Sequence, residues 1–242
     1  ELLENILEQR RDFYRAYANL SFIYHETGEL QKSVETLRRA VSSGIHNPDL
    51  LMRLGIYLQE AGNVNQAVEI LERLIEQDPK NIDILNFLAM GYWRQGNSNR
   101  AIEVFERLIS IKPNFPSAYS NLGAVYLGDK KYDLAYHMFK EAIRLDPSLD
   151  EPYNGLGVVY ANKQDYKKAI ESWKTSISIN RYQYDALFNL GVLLIRLNRF
   201  DEAFPYLDQF IKTAPPQKYG NDIFKVKKLL EGISAAKDKK LK

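Results

Sequence analysis

The chain of 242 residues has no cysteine and only three histidines. Without Cys there is no disulfide framework, no thiolate nucleophile and no thiolate-ligated zinc site. His25, His46 and His137 lie too far apart for a local His-x-x-x-His motif, so no metal site is expected. Charge of one sign is also scarce in excess: 33 Lys and Arg face 31 Asp and Glu. That balance gives no case for a phosphate-tracking nucleic-acid binder, and no nucleic-acid partner is expected. No apolar run approaches the roughly 18 residues of a membrane span, and membrane insertion is not expected. Gly-x-Gly-x-x-Gly, Walker, Gly-x-Ser-x-Gly and His-Glu-x-x-His motifs are all missing. The reading is therefore non-enzymatic, with no catalytic residue and no cofactor. Tyrosine, at sixteen residues, is the one abundance that asks for a reason.

The reason is periodicity. Ser21, Gly55, Ala89, Gly123, Gly157 and Gly191 follow one another in steps of 34 residues. Ser33, Ala67, Ala101, Ala135, Ala169 and Ala203 do the same, and a leucine precedes each member of the first ladder. Pro79, Pro113, Pro147 and Pro215 keep the phase, with Ile45 and Arg181 as exceptions. Nine of the tyrosines recur at three places of this period, which marks them as packing residues: an apolar ring inside and a hydroxyl able to find a partner.

Each unit reads as two amphipathic helices. In the fourth, Tyr119, Leu122, Gly123 and Tyr126 share one helical stripe. After the polar break Gly128–Lys131, a second stripe runs Leu134, Ala135, Met138, Phe139, Ala142, Ile143. Helices about 8–10 Å apart collide if large side chains meet at the crossing, so the small residues let each pair close. Proline after the second helix turns the chain into the next unit.

On these residues the chain resembles the tetratricopeptide repeat family. Residues 116–149 match the family pattern almost throughout, and repeats are placed at 14–47, 48–81, 82–115, 116–149, 150–183 and 184–217. The resemblance implies an all-α, right-handed superhelical solenoid of antiparallel helix pairs whose first helices line a concave groove. Repeat five departs from the pattern at Ser176 and Arg181. Repeat six carries Pro205 inside its second helix, where a bend is expected.

The ends lie outside the six repeats. Residues 1–13 resemble the second helix of a repeat whose first helix is absent, since Leu3 lies two periods before Leu71. This suggests a fragment of a longer protein, and an apolar end (Leu2, Leu3, Ile6, Leu7) able to self-associate. Residues 218–236 read as a capping helix, with Asn221 as its N-cap and Ile223, Phe224, Val226, Leu229 and Leu230 on its apolar side, followed by a basic tail at 237–242.

Family resemblance places the second, fifth, sixth, ninth, twelfth and thirteenth residues of each repeat in the groove. The ninth place is apolar, including Phe22, Ile56 and Met90; the sixth includes Asn19, Arg53, Phe87, Asn121 and Asn189, with Asn86 and Asn154 one place earlier. Trp93 and Arg94 complete the candidate set, with Trp93 read as an exposed contact anchor. Such amides can pair with both N–H and C=O of an extended peptide. Similar asparagine ladders occur in O-linked N-acetylglucosamine transferases, although Asn at the sixth place is also simply common in the family. Ala18, Phe22, Met52 and Ile56 stand where repeats that clamp the C-terminal carboxylates of heat-shock chaperones need Lys and Asn. His25 is read as an ordinary polar contact, because a catalytic base needs an orienting partner and the sequence nominates none. The expected function is a scaffold binding a peptide or protein segment in its groove. The alternative is a regulatory or substrate-docking tail of a larger enzyme, to which a likeness to tails of sulfatase-like hydrolases points.

Overall fold

A computed structural model describes residues 14–240, and all of its regular elements over that span are α-helices. Repeat one supplies α1 (Tyr14–Glu26) and α2 (Leu30–Ser42), and repeat two α3 (Pro48–Glu60) and α4 (Val64–Gln77). Repeat three supplies α5 (Ile82–Arg94) and α6 (Ser98–Ile111), and repeat four α7 (Pro116–Gly128) and α8 (Tyr132–Leu145). Then come α9 (Glu151–Asn162) with α10 (Tyr166–Ile179), α11 (Tyr184–Arg196) with α12 (Phe200–Thr213), and α13 (Pro216–Lys240). The expected class, an all-α array of consecutive helix pairs, is what the chain adopts. The helix read over residues 1–11 lies outside the described residues.

The chain forms two compact units, one through Val125 and one from Tyr126 on. In each, a helix packs on its successor, and first helices of consecutive repeats also touch, as α3 does α5 and α9 does α11. The first core gathers Tyr17, Leu37, Leu50, Leu58 and Ala67, each at most 2 % exposed. The second is built on Trp173, Leu187, Leu194, Leu207 and Phe210. Leu134, assigned to the inner stripe of its helix by spacing, is instead 46 % exposed.

Small residues do let the pairs close. A Cβ on Gly157 would lie 2.4 Å from Nε1 of buried Trp173, and one on Gly191 would lie 2.3 Å from Leu207. Between the helices of repeat one, Ser33 tightens the same crossing by donating its buried hydroxyl to the Ser21 carbonyl at 2.8 Å.

The turn between paired helices recurs as faithfully. Its left-handed residue is Gly28, Gly62, Gly96, Lys130, Gln164 and Asn198 in turn, all with φ between 58° and 80°. Glycine adopts that conformation without strain, whereas a residue with a Cβ resists it.

The two departures of repeat five have a local remedy. Ser176 is fully buried and donates to the Asp150 carbonyl at 3.0 Å. The Asp150 carboxylate accepts from Asn180 (3.1 Å) and Gln183 (2.7 Å), pinning the turn that proline shapes elsewhere. Pro205 is exposed and α12 runs through it, because a missing N–H near a helix start removes a single bond. Asn221 is not a cap: α13 begins at Pro216 and presses Tyr219 and Val226 into the second core while Phe224 stays 68 % exposed.

His25 is less isolated than the sequence suggests. Its ring stacks on Tyr57 at 4.4 Å and 7°, and Nε2 meets the Glu60 carboxylate at 2.7 Å, with Glu26 at 3.4 Å from Nδ1. The hydrogen bond to Glu60 raises the His25 pKa above its usual value, outweighing a small loss of hydration.

Two outcomes follow from these contacts. Gly157→Ala should lose about 1–3 kcal/mol of stability in chemical denaturation, the range for an overpacked core. Gly220→Ala, in helix α13 with open space around it, should gain up to about 1 kcal/mol. A folded-state pKa raised above the unfolded one gives stability that is complete below about pH 6.5 and fades as pH rises through the folded value. Wild type should therefore melt slightly lower at pH 8 than at pH 6 relative to His25→Gln. The difference is about 0.5 kcal/mol at most for so exposed a pair, and salt should shrink it.

Candidate functional site

The candidate residues stand on the first helix of each repeat, and the structure sorts them by what they touch. In the first unit, Asn86 and Asn121 come together across consecutive first helices: Asn121 Nδ2 donates to Asn86 Oδ1 at 3.1 Å. Arg53 donates to the Ala18 carbonyl at 3.3 Å and sits 6.0 Å from the Phe22 ring centroid. Arg94 donates to the Gln59 carbonyl at 2.9 Å, while Gln59, buried beside it, donates to the Phe87 carbonyl at 2.8 Å.

These bonds share a rule. Arg53 to Ala18, Asn121 to Asn86, Arg94 to Gln59 and Glu60 to His25 each join residues 35 apart. A side chain at the sixth or thirteenth place reaches back to the fifth or twelfth place of the repeat before. Four of the places assigned to ligand contact therefore also staple neighbouring first helices. The bridging role of Gln59 and the reach of His25 to Glu60 have no local motif, and sequence reading missed both.

Beside the staples lies an apolar strip. Phe87, Met90 and Trp93 on α5 and Ile56 on α3 are half-buried, and Asn19 and Phe22 on α1 are exposed. Trp93 is thus partly sunk into the surface rather than freely exposed as expected. Phe22 is 50 % exposed. An amide has two donor hydrogens and two acceptor lone pairs, so the one bond between Asn86 and Asn121 leaves further capacity on each.

The second unit presents Asn154 and Asn189 on its own first helices, again 35 residues apart and half-buried. Here Asn154 Oδ1 is buried and has no hydrogen-bond partner among the described residues. Gly155 stands in the sixth place of that repeat because the Phe139 ring fills the space, with a Cβ there only 2.3 Å from it. The amide ladder is therefore interrupted by packing.

Titration near the strip reflects burial more than chemistry. Tyr92 is pushed up to about 12, first by burial and then by its hydrogen bond to Glu72. Burial also raises Tyr57. No group of three or more His, Cys, Asp or Glu able to hold a metal occurs among the described residues. No described helix is long and apolar enough to cross a membrane.

Comparison with known proteins agrees with the fold. Tetratricopeptide repeat models match residues 14–43, 58–126, 116–149, 150–183 and 185–216. No curated protein matches the chain. Among solved structures, a thermophilic TPR protein from Thermus thermophilus is 23% identical with a TM-score of 0.67, over 76% of this chain and all (100%) of that one. Pseudomonas aeruginosa pilF is 24% identical with a TM-score of 0.63, covering 69% of this chain and 77% of its own. MamA is 25% identical with a TM-score of 0.55, covering 66% and 93%. The shared fold is that of protein–protein interaction scaffolds, which are in general not enzymes. With its repeats matched along most of its length, the chain belongs to the tetratricopeptide repeat family.

Proposed function

We propose that the chain is a scaffold that binds an extended peptide or protein segment along the groove face of its first helices, with the strongest contacts in the first unit. The observation that carries this reading is the cluster of Phe87, Met90 and Trp93, half-buried on one helix beside the Asn86–Asn121 pair. Large side chains held half out of water on a rigid helix offer contact area without a large entropy cost on binding. Adjacent amides pair with the peptide backbone, which fixes its direction whatever its side chains. Arg94, tied to the Gln59 carbonyl, holds a positive charge at the margin without having to be ordered by the ligand.

In the second unit Asn154 adds to this reading: its Oδ1, buried and unpaired at a cost of about 1–3 kcal/mol, gains a partner when the amide turns outward to a ligand N–H.

The test pairs Trp93→Ala with Asn121→Ala in the full chain, checked by circular dichroism for retained helix. Capture of binding partners from the source organism should fall about tenfold or more, as expected for loss of an aromatic anchor. Undiminished capture by the folded double variant refutes the groove assignment.

A further inference from the structure

A second feature lies apart from the amide face. In the second unit a cleft of about 360 Å³ opens among α8, α9 and α10, lined by Lys140, Tyr153, Tyr160, Lys168, Glu171 and Ser172 together with apolar neighbours. Its α9 residues, Tyr153, Leu156 and Tyr160, follow three-and-four spacing on one stripe of the helix, and Asn154 belongs to another. The volume is at the lower end of the range for ligand sites, which is enough for a side chain or a small acid.

The repeat provides its own reference for this cleft. Two periods earlier, Glu72, Tyr92 and Arg100 occupy the places of Lys140, Tyr160 and Lys168. There the Tyr92 hydroxyl donates to Glu72 Oε1 at 2.5 Å, and Arg100 Nη1 lies 3.5 Å from the same oxygen. The Arg100 guanidinium stands 5.3 Å from the Tyr92 ring centroid. In the second unit, Lys168 Nζ stands 5.4 Å from the Tyr160 ring, so cation and ring keep their arrangement. The carboxylate is what changes: Lys140 replaces Glu72 and has no ion-pair partner among the described residues. The place that holds an anion in the first unit is bordered by a second cation in the second.

Shape changes at the same spot. Ser172 occupies a place held by Ile70, Val104, Met138 and Tyr206 in four other repeats and by Thr36 in the first, so the cleft opens where the side chain is smaller than in its neighbours. The charge count narrows the ligand. Asp165 holds Lys168 at 2.7 Å and Glu171 stands on the lining, so the two lysines are already matched in number and a dianionic phosphate is disfavoured over a single carboxylate beside Lys140.

We propose that this cleft binds a ligand carboxylate, in the place that the Glu72 carboxylate takes beside Tyr92. Lys140 supplies the charge and the Tyr160 hydroxyl donates to the ligand, as Tyr92 donates to Glu72. The natural source is a glutamate side chain of a peptide, because that is the group the first unit builds in.

The test uses the full chain and four probes: acetyl-Ala-Glu-Ala-amide, its Gln counterpart, glutarate and inorganic phosphate, followed by NMR shifts of the tyrosine rings. The Glu peptide should saturate at a Kd on the order of 1 mM or below, and the Gln peptide and phosphate should bind at least tenfold more weakly. Lys140→Glu supplies the carboxylate from within; it should lower Glu-peptide affinity tenfold or more and raise the melting temperature. Ser172→Met should close the cleft with the same loss of binding. Glutarate binding more tightly than the peptide supports the carboxylate site and overturns the peptide source. Equal binding of the Glu and Gln peptides, or unchanged binding by folded Lys140→Glu, overturns the proposal. Trp93→Ala with Asn121→Ala should leave this binding intact, so the two sites fail or stand separately.

Discussion

The whole array depends on how closely the two helices of a repeat approach. The Trp173 indole lies where a single methyl group on Gly157 would have to be, and the Leu207 side chain does the same at Gly191. That closeness turns a short amphipathic helix, unstable alone, into half of a dry interface. It also fixes which face of each first helix is left over. A looser crossing would rotate the first helix and shift its open face. On α5, which carries Phe87 and Met90, the residue at the crossing is the fully buried Ala89, so the surface chemistry is set by a side chain no larger than a methyl group.

The leftover face carries two obligations at once. Arg53 and Arg94 bond to carbonyls of the preceding repeat, and Asn121 bonds to Asn86, so the array takes part of its cohesion from the surface proposed to meet a ligand. A scaffold of this kind is pre-ordered: its polar groups already hold their geometry and lose little freedom on binding. The cost is that substitutions there blur stability with affinity. Trp93 and Lys140, which take no part in these staples, separate the two better than the arginines do.

The repeat phase, the helix pairs and the small-residue crossings were legible because they recur at a fixed interval and each has a steric reason. Much of the site was not. Two of the staples, from Arg53 and Arg94, join side chains to backbone carbonyls 35 residues away, and a carbonyl leaves no mark in a sequence. Gly28, Gly62 and Gly96 do announce the left-handed turn, but Lys130, Gln164 and Asn198 adopt it without such a sign. The N-cap reading of Asn221 failed because Pro216, a stronger helix starter, stands five residues earlier. The exposure of Leu134 and Phe224 shows the limit of periodicity: a helix can carry an apolar residue at the right spacing and still have nothing to press it against.

The 35-residue reach of the staples has a kinetic meaning. Helix packing in each unit links elements that are neighbours in sequence, or neighbours but one, so no distant pairing has to be searched for. Chains of such low contact order close their contacts in microseconds to milliseconds, by zipping outward from whichever pair forms first. On a ribosome, each repeat could dock as soon as its second helix emerged, with no need to wait for the chain's far end.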